Sequence, residues 1–127
     1  THIVWTKENL KKDDLVTDVP TPAAVDGKVY VCSDRGTLAC LDAKTGKLLW
    51  SGQTEKHRTP FSASPVLADG RIYLTREDGK IFVLAQGKEF KVLAQNVLEN
   101  EFVVATPVFV DGHILIRTVD HLYCIGQ

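Results

Sequence analysis

An Asp-Gly pair recurs at a nearly constant spacing along this chain of 127 residues. The pairs are Asp26-Gly27, Asp69-Gly70 and Asp111-Gly112, so that 43 residues separate the first two and 42 the last two. Each pair stands between a short apolar stretch and an alternating run, which is the strongest short-range signal of a β-hairpin. A repeat of about 40 to 45 residues with several short strands is typical of a β-propeller blade.

Each repeat predicts a blade of four short antiparallel strands. The predicted blades are residues 21–50, 64–94 and 106–126, of which the last has only three strands. Residues 2–5 match residues 47–50 in pattern, and residues 2–6 are predicted to be strand four of a preceding blade. The predicted fold class is therefore an all-β propeller. The twelve predicted strands equal about three blades, but they are shifted by one strand, so that the chain begins with the last strand of one blade and ends after the third strand of another. Such an offset lets a strand from one terminus complete the sheet at the other and removes an exposed edge.

A polar turn joins the third and fourth strands of the first unit. Asp42 and Thr45 are predicted to bond the backbone of that turn, and Gly46 can take the positive φ that a hairpin bend often needs. Trp50 ends the following strand and carries a large area for packing against whatever covers the sheet. These four residues form the recurring structural motif of the chain.

The motif Cys40-x-Asp42-x-x-Thr45-Gly46-x-x-x-Trp50 resembles the repeat of the pyrroloquinoline-quinone-type (PQQ-like) β-propellers, with Cys40 where that family usually has Ala. In such repeats the tryptophan packs between neighbouring blades, so the resemblance implies this role for Trp50 and for Trp5. The resemblance is strong over residues 21–50 and moderate over 64–94, and it covers strands only in 106–126. The resemblance implies, as an expectation, that the chain is a C-terminal three-blade fragment of a bacterial protein.

The PQQ-like family includes quinoprotein dehydrogenases, an outer-membrane assembly lipoprotein and many extracytoplasmic proteins. The resemblance therefore implies a non-catalytic module for protein or ligand binding or assembly, in the periplasm or outside the cell. One alternative is a fragment of a PQQ-dependent quinoprotein oxidoreductase. A second alternative is a purely structural, self-assembling repeat fragment with no ligand.

The cysteines argue against the quinoprotein alternative. The alcohol dehydrogenases of the family hold PQQ and calcium on the propeller axis beneath two adjacent cysteines, whereas Cys32, Cys40 and Cys124 are far apart. Cys40 and Cys124 fall at the strand position of Val83 in the middle unit, which predicts packing on a buried face. We therefore predict free thiols, with Cys40 and Cys124 buried. No catalytic triad, P-loop or carboxylate dyad can be placed, so we predict no catalytic residue and no cofactor.

The histidines and the repeated aspartates predict no metal site. His2, His57, His113 and His121 lack metal-ligand spacing and are interpreted as exposed strand-edge or loop residues. The aspartates of the Asp-Gly pairs occupy the same turn position in every repeat, so they are interpreted as turn formers rather than calcium ligands.

One group of basic residues is the candidate binding site. Lys56, His57 and Arg58 lie in the connection after the first blade, near Arg35 and Arg76 in the neighbouring turns if the propeller is correct. They predict a basic rim on one face, which either binds an anion or an acidic partner or is a solvated loop. Acidic residues at 99–101 would join the same rim and weaken an anion site.

Charge and hydropathy limit the partners of the chain. The formal net charge of −1 lacks the basic excess of nucleic-acid-binding proteins, and no apolar run approaches the roughly 18 to 20 residues that span a bilayer. An open stack of three blades leaves an apolar face at each end. We therefore predict either self-association, as a homodimer of six blades, or completion by missing blades of a parent chain, besides a protein partner.

Overall fold

Eleven β-strands form three separate antiparallel sheets in the computed structural model, which describes residues 2–126. The first sheet is β1 (Ala23–Val25), β2 (Lys28–Cys32), β3 (Thr37–Asp42) and β4 (Leu48–Gln53). The second is β5 (Val66–Ala68), β6 (Arg71–Thr75), β7 (Lys80–Ala85) and β8 (Val92–Val97). The third is β9 (Val108–Val110), β10 (His113–Arg117) and β11 (Leu122–Ile125). Neighbours in sequence pair in every sheet, which confirms the all-β propeller fold.

The Asp-Gly pairs form the two-residue turns that the sequence predicts. The φ angles are 49° and 73° at Asp26 and Gly27, and the other two pairs match them within a few degrees. Positive φ at both central residues is the type I′ geometry, whose twist matches that of the flanking strands. The register confirms the short loop, because Val25 pairs with Lys28 directly across it.

The first two sheets have the same irregularity at the same place. The pairing of β3 with β4 shifts between Cys40 and Leu41, and the pairing of β7 with β8 shifts between Val83 and Leu84. Just before each shift, Cys40 pairs with Trp50 and Val83 pairs with Ala94. Ala94 therefore occupies the tryptophan position of the second repeat. A β-bulge of this kind bends the strand and re-aims the side chains beside it.

The main hydrophobic core lies between the first and second sheets. It is built by alternate residues of the two inner strands of each sheet, together with one aromatic residue from the connection between them: Tyr30, Cys32, Leu38, Cys40, Phe61, Ile72, Leu74, Phe82 and Leu84. Trp50, Leu67, Phe90 and Val25 pack against its margin. The joint between these two sheets is thus the best-packed part of the described chain.

Two details of the strand prediction are wrong. Residues 2–6 form no strand, although the sequence predicts one, because no other strand lies beside them to pair with. Neither of the first two units ends where the sequence predicts: β4 continues past residue 50 to Gln53, which pairs with Thr37, and β8 continues past residue 94 to Val97, which pairs with Lys80. Twelve strands were predicted, and the described residues contain eleven.

Candidate functional site

The candidate rim lies where two loops meet at one end of the sheets. In an antiparallel sheet whose strands are neighbours in sequence, the turn after the second strand and the connection after the fourth leave from the same end. Thr54 donates both its N–H (3.1 Å) and its hydroxyl (2.9 Å) to the carbonyl of Gly36. Phe61 N–H donates to the carbonyl of Asp34 at 2.9 Å. The connection 54–61 is thereby held at both ends against the β2–β3 turn.

Four of the predicted rim residues share one cleft of about 550 Å³, which we call the basic cleft: Arg35, Lys56, His57 and Arg58, with Gln53 and Asp14 beside them. The Nε2 of Gln53 donates to the carbonyl of Arg35 at 2.9 Å and ties the two loops together. The Nδ1 of His57 accepts from Thr59 N–H at 3.1 Å, which orients the ring within the connection. Asp14 accepts a hydrogen bond from the Thr37 hydroxyl.

Arg76, the fifth predicted rim residue, does not contribute an exposed charge. Its side chain is only 3% exposed, and its guanidinium contacts Glu55 at 3.0 Å and Asp78 at 2.9 Å. Lys80 also reaches Glu55, at 2.8 Å. The hydrogen bonds from Lys80 and Arg76 lower the pKa of Glu55, and that from Arg76 lowers the pKa of Asp78. The burial of Arg76 was not predicted, because repeat position alone cannot show that two carboxylates contact the guanidinium.

This ion-pair network changes the charge that the basic cleft presents. Glu55 and Asp78, two acidic residues near the cleft, form ion pairs with Arg76 and Lys80. Arg35, Lys56 and Arg58 form no ion pair with any carboxylate of residues 2–126 and are exposed. The cleft thus combines three free cations with one carboxylate.

The acidic residues at 99–101 do not simply add charge to the rim. Glu101 has a side chain only 6% exposed, and it accepts a hydrogen bond from the hydroxyl of Tyr123 and contacts Nδ1 of His121 at 2.7 Å. Hydrogen bonds from Thr118, Tyr123 and His121 lower the pKa of Glu101. Nothing in the spacing of these residues along the chain could have predicted this cluster.

The structural motif places a tryptophan of one unit against the turn of the next. Asp42 Oδ1 accepts from the N–H groups of Lys44 and Thr45 and from the Thr45 hydroxyl, which closes the β3–β4 turn. Trp5 lies over this turn, and its Nε1 donates to the carbonyl of Ala43 at 2.9 Å. Gly46 has a φ of 72°, and a Cβ there would lie 2.6 Å from Cε3 of Trp5. Only glycine satisfies both conditions.

Trp50 makes the same type of contact one unit later. Its Nε1 donates to the carbonyl of Gly87, in the turn after β7, at 3.0 Å. Its ring lies 6.0 Å from that of Tyr30 in its own sheet and 6.4 Å from that of Phe90 in the next. Trp5 therefore contacts the first blade in the way that the tryptophan of a preceding blade would, even though residues 2–6 form no strand.

The residues that open each repeat form a second regular link between the sheets. Thr21 N–H donates to the hydroxyl of Ser64, and Ser64 N–H donates to the hydroxyl of Thr106, both at 2.9 Å. The three residues hold equivalent positions in successive repeats. Each blade is therefore joined to the next by a backbone-to-hydroxyl bond in addition to the packing of its faces.

An apolar cleft separates the second and third sheets, and we call it the interblade cleft. It has a volume of about 340 Å³ and is lined by Ile81 and Val83 of β7, Phe109 of β9, Ile114 of β10 and further apolar residues. The corresponding place between the first and second sheets is filled by Trp50 and Phe90. In the second sheet, Ala94 stands at the tryptophan position and contributes only a methyl group on the face of β8 that carries Asn96, which lines the cleft.

The prediction that Cys40 and Cys124 are buried is right for Cys40 and wrong for Cys124. All three thiols are free, and Cys40 is buried as predicted, but Cys124 is exposed. Cys124 has the same position in its sheet as Cys40 and Val83 have in theirs. Cys124 pairs with Leu115, just as Cys40 pairs with Tyr30 at the equivalent position of the first repeat. Cys124 differs because no part of the described chain covers the outer face of the third sheet. Val108 and Val110 on this outer face are also exposed.

No three side chains of His, Cys, Asp or Glu within residues 2–126 lie close enough together to hold a metal ion. Over the same residues, no helix has the length and apolar character needed to cross a membrane.

Comparison with protein families relates most of the chain to a family of assembly factors. Residues 2–89 match the family described as outer membrane protein assembly factor BamB. The chain is 30% identical over 105 residues to the outer membrane protein assembly factor BamB of Yersinia pestis, covering 81% of this chain and 25% of that protein. The chain thus spans about a quarter of the length of the curated relative.

Comparison with solved structures gives the same fold in two functional contexts. BamB from Moraxella catarrhalis superposes with a TM-score of 0.62 at 20% identity, covering 79% of this chain and 30% of that one. A quinohemoprotein alcohol dehydrogenase from Pseudomonas putida HK5 superposes with a TM-score of 0.68 at 21% identity, covering 83% and 17%. At these identities the structural likeness shows the propeller fold alone.

Proposed function

Because this chain belongs to the BamB family of PQQ-like β-propellers, we propose that it is a non-catalytic propeller segment that serves in protein assembly. The observation that carries the proposal is the match of residues 2–89 to the assembly-factor family, which includes the whole first blade and most of the second. The relatives are named for the outer membrane, and this supports a periplasmic or extracellular setting in a bacterium.

The way in which the sheets are joined supports a scaffolding role. We propose that residues 21–50, 64–94 and 106–126 act as successive blades of one stack, linked by repeated contacts at equivalent positions. The indole bonds of Trp5 and Trp50 and the bonds from Thr21 and Ser64 fix each blade against the next. A stack fixed in this way presents its loops at constant positions, and loops on rigid sheets are where binding residues concentrate.

The outer face of the third sheet supports a further proposal, that this chain associates with more blades of its own kind. Val108, Val110 and Cys124 lie exposed on that face, and Leu122 in the edge strand β11 is 70% exposed. At the other end, Ile3 and Val4 are more than 80% exposed beside the docked Trp5. Monomeric proteins seldom expose large contiguous apolar patches.

A second copy of the chain would cover both ends. Two chains around a two-fold axis would supply six blades, within the roughly four to eight that propellers use. Residues 2–6 of each copy would then complete the three-stranded sheet of the other. The same contacts would be made by further blades of a longer polypeptide.

Light scattering tests the self-association. At micromolar concentration we expect the 127-residue chain to be a dimer, and Val108→Glu to shift it to a monomer by placing a charge on the outer face of the third sheet. Val19→Glu is the control, because it places the same charge at an exposed valine in the connection before β1, outside the third sheet. A wild-type chain that remains a soluble monomer would end this part of the proposal.

A thermal-shift experiment tests the non-catalytic assignment against the quinoprotein alternative. A ligand that binds only the folded state raises the unfolding temperature. We expect PQQ with Ca²⁺ to leave the melting temperature of this chain unchanged. A saturable, Ca²⁺-dependent rise would overturn the assignment and favour a fragment of a PQQ-dependent enzyme.

A further inference from the structure

We propose that the basic cleft binds an acidic segment of a partner protein. The cleft consists of Arg35 in the β2–β3 turn and of Lys56, His57 and Arg58 in the β4–β5 connection, and it is distinct from the end faces that join blades. This inference rests on the proposed role in protein assembly, because that role makes the ligand a protein.

The first argument is that the cations are held in place together. The bonds from Thr54 to Gly36 and from Phe61 to Asp34 anchor the connection on both sides of Lys56–Arg58. A Cβ at Gly36 would lie 2.4 Å from the Thr54 hydroxyl, so the two loops approach as closely as the chain allows. Positioned charges lose less conformational freedom on binding than charges on independent loops.

The second argument is that the nearby acidic groups are already occupied. Glu55 precedes Lys56 directly, yet its carboxylate faces Arg76 and Lys80. Asp78 is likewise held by Arg76, at 2.9 Å. Asp78 Oδ2 also lies 3.9 Å from Nδ1 of His57, and among residues 2–126 neither carboxylate forms an ion pair with Arg35, Lys56 or Arg58. Charge complementarity between two surfaces steers association and selects the partner.

The third argument concerns the size and openness of the site. The volume of about 550 Å³ is many times that of one phosphate or carboxylate group, and all of the lining residues except the half-buried Asp14 are exposed. A single small anion is recognised by groups that converge on it, whereas an extended acidic segment contacts several separated cations. The single carboxylate of the cleft, Asp14, lies beside Thr37 and would disfavour a ligand with charge concentrated at that edge.

Fluorescence anisotropy with a fluorescein-labelled hexaglutamate peptide tests the proposal on the 127-residue protein. We expect saturable binding at low ionic strength that weakens as salt is added, because exposed charges are screened. The double variant Lys56→Ala/Arg58→Ala should weaken binding about tenfold, the effect of two exposed charge pairs of about 0.7 kcal/mol each.

The matched control removes the same charge at the opposite end of the sheets. Lys88 and Lys91 flank the turn between β7 and β8 and are exposed, so Lys88→Ala/Lys91→Ala should change the affinity less than twofold. Circular dichroism melting of both double variants confirms that each is folded.

Three outcomes would overturn the proposal. They are the absence of saturable peptide binding at low salt, an equal loss of affinity in the two double variants, and binding of inorganic phosphate without binding of the peptide. The last result would indicate a small-anion site instead. None of them affects the light-scattering test of the end faces, so a failure here and a failure of the proposed association are separable.

Discussion

Two indole N–H groups join one unit of this chain to the next in the same way. Trp5 donates to Ala43 and Trp50 donates to Gly87, and each acceptor lies in the turn after the third strand of the following blade. The surroundings differ, because Trp50 also packs against Tyr30 and Phe90 whereas Trp5 lies on Gly46. A tryptophan in this position contributes both a large apolar surface and one directional bond.

Truncation of Trp50 should weaken the joint between the first two blades. We expect Trp50→Ala to lower the free energy of unfolding by about 3 kcal/mol, the low end of the range for a buried aromatic residue because the indole is half-buried. Trp50→Phe keeps most of the ring contact and loses the bond to Gly87, so its loss should be smaller, near 1 kcal/mol. Urea denaturation measures both, and a loss below about 1 kcal/mol for Trp50→Ala would show that the indole contributes little to the joint.

The three thiols should react at very different rates. Burial raises the pKa of Cys32 to about 12 and also raises that of Cys40, so neither forms the reactive thiolate at neutral pH, whereas Cys124 is exposed. Titration with an aromatic disulfide should show one fast thiol in the native protein and three after unfolding. Cys124→Ser should abolish the fast phase. A fast phase that survives in this variant would mean that the core between the first two sheets opens readily.

At the scale of the strands, local turn chemistry was predictable and pairing was not. The runs at Lys28–Cys32, Arg71–Thr75 and His113–Arg117 follow the three Asp-Gly turns with the bounds that the alternating pattern indicates. Residues 2–6 have an equally good strand pattern, yet they form no strand because an edge partner is required. Pairing depends on what lies beside a segment, and no pattern within the segment contains that information.

The same distinction explains the candidate site. Arg35, Lys56, His57 and Arg58 could be grouped from their repeat positions, because turn and connection lie at the same end of any antiparallel blade. The burial of Arg76 could not, since it depends on carboxylates from residues 55 and 78 meeting at one guanidinium. The exposure of Cys124 was missed for a related reason. Its position in the strand register shows which face of the sheet the side chain is on, but not whether another part of the protein covers that face.

The second and third blades should gain stability when the tryptophan position is restored. Ala94 lies on the same face of β8 as Asn96, which lines the interblade cleft of about 340 Å³. We expect Ala94→Trp to raise the free energy of unfolding by about 1 to 2 kcal/mol, the usual gain from filling a cavity.

Gln95→Trp is the control for this prediction, because alternate residues of a strand point to opposite faces. It adds the same side chain to the other side of β8 and should give no gain. Thermal unfolding of the two variants compares them directly. If Ala94→Trp destabilises the protein by as much as Gln95→Trp, the second joint is built differently from the first.

Across the whole molecule, the three sheets are not equally well packed. The main core joins the first two, and the third is linked through the Thr106 hydroxyl, the contact of the Tyr73 and Phe109 rings at 4.5 Å, and the Glu101 cluster. Local stability follows the number of buried contacts, so the third sheet should open first. Glu101 is a charged group in this weaker joint, and its side chain is nearly buried.

Glu101 should therefore make the third sheet sensitive to acid. Its pKa is lowered in the folded state, so its contribution is fully present above the unfolded value of about 4.3 and is lost as the pH falls through the lower folded value. Glu101→Gln should speed backbone amide exchange in β10 and β11 at pH 7, and the difference from wild type should shrink as the pH is lowered below about 5. Glu99→Gln, at an exposed neighbouring residue, should match wild type throughout. A difference that persists unchanged at low pH would mean that Glu101 acts through its shape and not through its charge.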